Sequence, residues 1–244
     1  PQTVLDSMDK YYKEYGVSVH RGVYNLSYVA TAKYEEAREK VSHFINASFT
    51  EVVFTRGASS ALNLVASSYG LNNITKDDEI IVSELEHHSH VLPWQNVSRI
   101  TGAKLIYVPL DTEGRITIEN FKKVLNNHTK VVALTYVSNV LGYITPLKEI
   151  IKLSHEVGAV VSVDAAQAAP HMKIDVQDLN CDFLAFSGHK MMGPTGIGVL
   201  YGKRVLLDAM PPIEFGGDMN DNVNKYDASW KETPYKFETG TPPI

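Results

Sequence analysis

Lys190 lies in "FLAFSGHKMMGPTG", where an apolar run gives way to Ser187-Gly188-His189-Lys190. An amine just past a strand, at the edge of a sheet, can form a Schiff base with a carbonyl once desolvation or nearby cations lower its pKa. A solvent-facing lysine is the plainer alternative. Other residues able to do chemistry also follow apolar, β-branched runs. Asp164 ends "AVVSVD", where a carboxylate is costly to bury unless it meets a cation or donor, or caps a turn. Arg56-Gly57-Ala58-Ser59-Ser60 follows "EVVFT", and its N–H groups and hydroxyls suit either a phosphate or a plain strand-to-helix turn with a serine N-cap. "LEHHSH" after "EIIVSE" brings His87, His88 and His90 together, in an extended spacing with no matching ligand pair elsewhere. That pattern argues against a metal and leaves a stacking imidazole or a solvated loop. Ser138-Asn139 follows "KVVALTYV", and Ala165-Ala166-Gln167 follows Asp164.

Taken together these parts fit one ligand. Pyridoxal phosphate needs a Schiff-base lysine, an acid opposite its pyridinium nitrogen and a phosphate cup, and each candidate falls at a strand end. Two other chemistries fit less well. Ser187-x-x-Lys190 has the spacing of serine-lysine acyl-transfer enzymes, but no Lys-Thr-Gly follows and the serine ends a strand rather than opening a helix. "GPTGIGVLYGK" has no Gly-Lys-Ser/Thr at a helix start, so it is not a nucleotide-binding loop.

The elements that must hold these residues follow from the hydrophobic pattern. Strands are expected at 51–55, 79–84, 104–110, 130–137, 159–164, 183–187 and 198–202, with helical spacing in "SSALNLVASSYG", "TIENFKKVLNN" and "PLKEIIKLSHEVG" and C-terminal caps at Gly70 and Gly158. Alternation of strand and helix predicts an α/β fold with a mixed, mostly parallel sheet flanked by helices. The tight link between the last two strands predicts one antiparallel member. In such a sheet ligands sit beyond the carboxyl ends of the strands, where the candidates lie. The organisation expected is an N-terminal helical segment (1–45), a large cofactor-binding domain (46–207) and a loop-rich tail (208–244).

With 23 basic and 28 acidic side chains in 244 residues, the net charge of −5 offers no field for nucleic acid or an anionic membrane. The single cysteine, Cys181, excludes an internal disulfide and fits a reducing, cytoplasmic setting. No apolar run reaches membrane-spanning length, and the first residues carry no signal-peptide pattern.

The stretches "VHRGVYNLS", "VVFTRGASSALNLVA", "ELEHHSHVLPWQ", "YVSNVLG", "VDAAQAAPH", "CDFLAFSGHKMMGPTGIGVLYGK" and "FETGTP" resemble, in order, the class V aminotransferase-like cysteine desulfurases of the group II, SufS-like branch, which includes selenocysteine lyases. The resemblance implies the large domain of a fold type I pyridoxal-phosphate enzyme, cut at both ends and lacking the C-terminal small domain. Lys190 would hold the cofactor and move the substrate α-proton, His87 would stack on the ring, and Asp164 would pair with its nitrogen. Gln167 and Asn139 would meet the phenolic oxygen and substrate. Ser59, Ser187 and His189 would hold the phosphate, and Thr241 would reach the phosphate of a neighbouring subunit in a homodimer. His20 and Arg21 would line the entrance.

The implied reaction converts L-cysteine, or L-selenocysteine in a lyase, to L-alanine and passes sulfur as an enzyme persulfide to an acceptor protein for iron-sulfur cluster assembly. The thiolate and the carboxylate-binding arginine for that step would come from a C-terminal part that this sequence does not include. Cys181 matches a buried strand-start position rather than that thiolate. A chain that binds the cofactor without desulfurating is therefore the main alternative. Ala58-Ser59-Ser60 stands where many such proteins have Thr-Thr-Glu; Ser59 keeps a hydroxyl, but the resemblance does not carry over the dimer contact made by the acid.

Overall fold

A computed structural model describes residues 1–242. Seven strands form one sheet in the order β1-β7-β6-β5-β4-β2-β3. These are β1 (Val52–Thr55), β2 (Glu79–Ser83), β3 (Lys104–Val108), β4 (Thr129–Thr135), β5 (Val160–Asp164), β6 (Phe183–Ser187) and β7 (Gly198–Gly202). Strands β2 to β6 pair in parallel, whereas β7 runs antiparallel to both β6 and β1. The expected mixed sheet, with an antiparallel member after Lys190, is therefore present.

The central strands are apolar on both sides because helices cover both faces. Alternate residues of β4 go to opposite layers: Val132 and Leu134 pack with Val161, Val163, Phe121 and Ile150, while Val131 and Ala133 pack with Leu62, Trp94 and Val97. The helices are α1 (Gln2–Glu14), α2 (Asn25–Phe44), α3 (Ala58–Leu64), α4 (Leu71–Asn73), α5 (His88–Thr101), α6 (Ile118–Val124), α7 (Leu147–Glu156), α8 (Val176–Leu179) and α9 (Arg204–Ala209). Thus α3 and α5 lie on one face, and α6, α7 and α8 on the other.

Three local expectations need correction. The histidine run is not a loop: His87 is the N-cap of α5, whose Val91, Trp94 and Val97 are buried despite Pro93, and Gly102 at φ 79° ends it. Gly158 adopts φ 79° as a helix-terminating residue should, but Gly70, at φ −60°, is not a C-terminal cap and instead precedes α4. It lies in a π-helical turn, Val65–Gly70, joining α3 to α4, and a Cβ there would meet Trp94 at 2.9 Å; close packing is what demands glycine. The tail is not wholly loop either. It carries a hairpin of β8 (Asn220–Val223) and β9 (Ala228–Trp230), turned by Asn224, whose Oδ1 accepts the N–H groups of Tyr226 and Asp227.

Candidate cofactor site

Thr55, Ser83, Thr135, Asp164 and Ser187 end β1, β2, β4, β5 and β6 on the same edge of the sheet, because these strands share one direction. That edge gathers Ser59 after β1, His87 after β2, Asn139 after β4, Gln167 after β5, and His189 and Lys190 after β6.

Around the end of β6 the backbone is packed tightly. Gly198 pairs with both Thr55 and Ser187, and a Cβ on it would lie 2.4 Å from the Gly57 Cα. Only a hydrogen fits, so the Arg56–Ser60 turn rests directly on the start of β7. Ser187, buried, accepts the Ala58 N–H on its Oγ at 2.8 Å, which joins the ends of β6 and β1. The hydroxyl proton stays free to donate. Ser59 is exposed and sits 2.7 Å, Oγ to Oγ, from Ser89, two residues past His87, so the starts of α3 and α5 are tied together. His189, two residues past Ser187, is exposed in a short 3₁₀ turn, Gly188–Met191.

The second half of the edge holds the acid and the amine. Asp164 is 5 % exposed. Its Oδ1 accepts the Ala166 N–H at 2.9 Å, so it does cap a turn, but Oδ2 has no protein donor among the described residues. β5 and β6 are neighbours, with Asp164 opposite Ala185. Lys190 follows in the 3₁₀ turn, half-buried, and its Nζ makes no ion pair or hydrogen bond among the described residues. His87 is exposed, with its Nδ1 accepting the Ser89 N–H at 3.1 Å. Gln167 is half-buried, and Asn139 is exposed in a turn organised by Ser138, whose Oγ accepts the Val140 and Leu141 N–H groups.

His20, Arg21 and Thr241 lie on the β1 side of the molecule. His20 Nε2 is 2.7 Å from Glu35 Oε1 and its Nδ1 is 3.6 Å from Asp218. The hydrogen bond to Glu35 raises its pKa above the ordinary value, although burial opposes the shift. Arg21 is exposed and lies against Gly217, where a Cβ would come 3.2 Å from its guanidinium. Thr241 lines an open cleft of about 550 Å³ with Phe54, Arg56, Ser60, Ile197 and Glu238. None of Lys190, Asp164 and His87 lines that cleft.

A model of the class-V aminotransferase family matches residues 1–244. The chain belongs to that family. A probable cysteine desulfurase of Halalkalibacterium halodurans is 56% identical over 245 residues, covering 100% of this chain and 60% of the relative. A cysteine desulfurase of Thermococcus onnurineus, solved in an apo form, superposes with a TM-score of 0.95 at 44% identity, over 100% of this chain and 60% of that one. The cysteine desulfurase CsdA of Escherichia coli gives a TM-score of 0.92 at 40% identity, over 100% of this chain and 61% of that one. This class-V aminotransferase chain thus spans about 60% of the length of the relatives it matches.

The class-V aminotransferases work with pyridoxal phosphate, and the donor set fits that group. A buried carboxylate with one open oxygen suits a protonated ring nitrogen, an unpaired amine suits an aldehyde, and hydroxyls with free N–H groups suit a phosphate.

Sequence reasoning missed several supporting residues. Ser89, Glu86 and Glu238 were not singled out, although the Glu86 to His90 spacing places an acid and an imidazole one helical turn apart. The remaining cysteine matches its expectation. Cys181 is fully buried at the amino end of β6, and burial pushes its thiol pKa well up.

Proposed function

We propose that this chain is the pyridoxal-phosphate-binding part of a SufS-like cysteine desulfurase. What carries the reading is a buried acid with an open oxygen at the end of β5 and a lysine with an unengaged amine in the turn that follows the neighbouring strand β6. In this reading residues 1–45 and 208–244, the last two of which lie outside the described residues, flank one large domain, and the tail meets a second copy in a homodimer. The substrate is L-cysteine, or L-selenocysteine, and an acceptor protein of a reducing, cytoplasmic setting takes the sulfur for iron-sulfur cluster assembly. No helix among the described residues is long and apolar enough to cross a membrane.

Pyridoxal phosphate, when bound, supplies an electron sink for the carbon bearing the substrate amine. The chain's residues do the rest. Asp164 would accept a hydrogen bond from the protonated ring nitrogen and keep the proton on the ring; its Oδ1 is already fixed by Ala166, so the carboxylate does not need to reorient. Ser187, Ser59 and His189 would hold the phosphate, and His87 would stack on the ring. Gln167 and Asn139 would hydrogen-bond the phenolic oxygen and nearby substrate groups. Lys190 Nζ would be the amine that holds the cofactor's aldehyde, and would take the α-proton of the substrate and return it.

Cys181 is not the sulfur acceptor in this scheme: it lies at the opposite edge of the sheet, fully buried, with its thiolate disfavoured. The Ser187 hydroxyl, buried against the Ala58 N–H, serves as phosphate ligand rather than acyl acceptor. Borohydride reduction with pyridoxal phosphate and peptide mass mapping should give a phosphopyridoxyl adduct on Lys190. Bound cofactor with no adduct at that position overturns the proposal. Assay of alanine and sulfide from L-cysteine distinguishes a desulfurase from a chain that only binds the cofactor.

A further inference from the structure

Beneath His87 lies a buried polar group that this scheme does not use. Glu86 and His90 flank His87, and both side chains are 0% exposed, with His90 Nδ1 2.7 Å from Glu86 Oε2. The other carboxylate oxygen, Oε1, accepts Ser83 Oγ–H at 2.7 Å and Thr135 N–H at 2.9 Å. On its far side, His90 Nε2 is 3.4 Å from Ser162 Oγ. These contacts join the end of β2, the end of β4, the first turn of α5 and the middle of β5.

Their placement connects two residues of the candidate site. Ser162 and Asp164 lie two apart on β5 and therefore on one face of the sheet. Thr135, held by Glu86, pairs directly with Asp164, and the Asp164 carbonyl accepts the next N–H, from Tyr136, at 2.9 Å. His87, between Glu86 and the first helical turn, is the N-cap, and its carbonyl accepts the His90 N–H at 2.8 Å. Filling the same space with apolar side chains would avoid the desolvation of an acid and an imidazole.

We propose that the Glu86–His90 pair, linked to Ser162, is a positioning device that fixes His87 relative to Asp164 across the ring site. This rests on the cofactor reading above. Glu86, accepting from three donors, requires the proton of His90 on Nδ1, and Nε2 is then the acceptor for the Ser162 hydroxyl. Glu86→Gln turns an NH₂ toward Nδ1, reverses that tautomer and leaves the packing volume unchanged. His90→Asn keeps a donor near Nδ1, whereas His90→Leu keeps only bulk. Ser162→Ala cuts the link to β5 alone.

The test loads this chain with pyridoxal phosphate and records the visible absorption band, its induced circular dichroism and the cofactor Kd, beside the thermal midpoint of the cofactor-free chain. Glu86→Gln and His90→Leu should shift the band, reduce the induced signal and weaken binding by roughly tenfold, the loss expected for a hydrogen bond to a charged group. His90→Asn should restore most of the signal. Ser162→Ala, the variant least able to disturb folding, should show a smaller shift of the same sign.

If His90→Leu and Glu86→Gln change only the thermal midpoint while Ser162→Ala keeps the parent spectrum, the pair is packing and the inference falls. Borohydride mapping of the unaltered chain separates the two failures. A Lys190 adduct with unperturbed variants overturns the positioning role alone; no adduct in the unaltered chain overturns the cofactor reading and this inference with it.

Discussion

Two carboxylates, the largely buried Glu238 and the buried Asp164, have opposite surroundings. Glu238 comes from the tail and meets β1, the edge strand of the sheet. Its oxygens accept from Arg38 Nη1 at 2.7 Å, Arg38 Nη2 at 2.8 Å, Tyr34 Oη at 3.0 Å and the Phe54 N–H at 2.7 Å. Arg38, fully buried, also reaches Glu35 Oε2 and the Val52 carbonyl, both at 2.9 Å. The pair thus closes the open hydrogen-bonding side of β1, which an edge strand must otherwise expose. Asp164, at the end of a central strand, accepts one N–H from Ala166. A carboxylate whose donors all come from the protein fastens the fold, whereas one with an oxygen left open is the better placed of the two to meet a ligand.

That contrast can be broken at either end. Arg38→Met should cost the most, about 3–5 kcal/mol in denaturant unfolding, because it strands the Glu238 charge in the interior. Adding Glu238→Gln should recover a large part of the loss, and additive losses in the double variant would show that the two residues are not coupled. Asp164→Asn should do the reverse. With Oδ1 still available to Ala166, the cofactor-free chain should lose under about 1 kcal/mol, while the Kd for pyridoxal phosphate rises by tenfold or more. Equal cofactor affinity in this variant would remove the distinction.

A milder probe is pH. His20 has a raised pKa, first through its hydrogen bond to Glu35, so its stabilising share is complete below the ordinary 6.5 and fades as pH rises through the raised value. Burial tends to raise the Glu35 pKa, but the His20 hydrogen bond and the Arg38 charge together hold it below 4.5, so its share fades as pH falls through the lowered value. Unfolding midpoints should therefore decline on the alkaline side of 6.5, and His20→Gln should flatten that limb. The smallest effect is expected from Ser59→Ala, which removes the 2.7 Å bond to Ser89 and should cost about 1 kcal/mol at most by the same measurement.

Much of this architecture was legible in the sequence because it rests on local pattern. All seven expected strands occur within two residues at each end, since uninterrupted β-branched runs need a sheet buried on both faces. Lys190, Asp164 and Ser187 could be read for the same reason: polar residues that terminate such runs must lie at one edge. Helix α5 was hidden by its histidines and Pro93, although Val91, Trp94 and Val97 carry the buried face. The role of Glu238 could not be read from spacing, because its partner Arg38 lies 200 residues away and no periodic pattern joins them. His20 was expected at an entrance from the "HRG" resemblance alone; its partners Glu35 and Asp218 come from a helix and from the tail, which only tertiary structure brings together.

The reversed direction of β7 has a further consequence. Had it run with its neighbours, a loop leaving its carboxyl end would fill the space between the exits of β1 and β6. Instead that end, at Gly202, points to the far edge, and Lys203 beyond it pairs there with Asp182 at 2.8 Å. At the edge where β1 and β6 exit, β7 contributes its entry instead: the chain after Lys190 returns there to Gly198, with the Gly188 N–H donating to the Ile197 carbonyl at 2.9 Å. The Gly57 backbone packs directly on Gly198, so β7 begins beneath the Arg56–Ser60 turn. The polarity of a single strand therefore makes the segment that carries the amine begin and end beside the Arg56–Ser60 turn, through Ser187 against Ala58 at one end and Gly198 against Gly57 at the other.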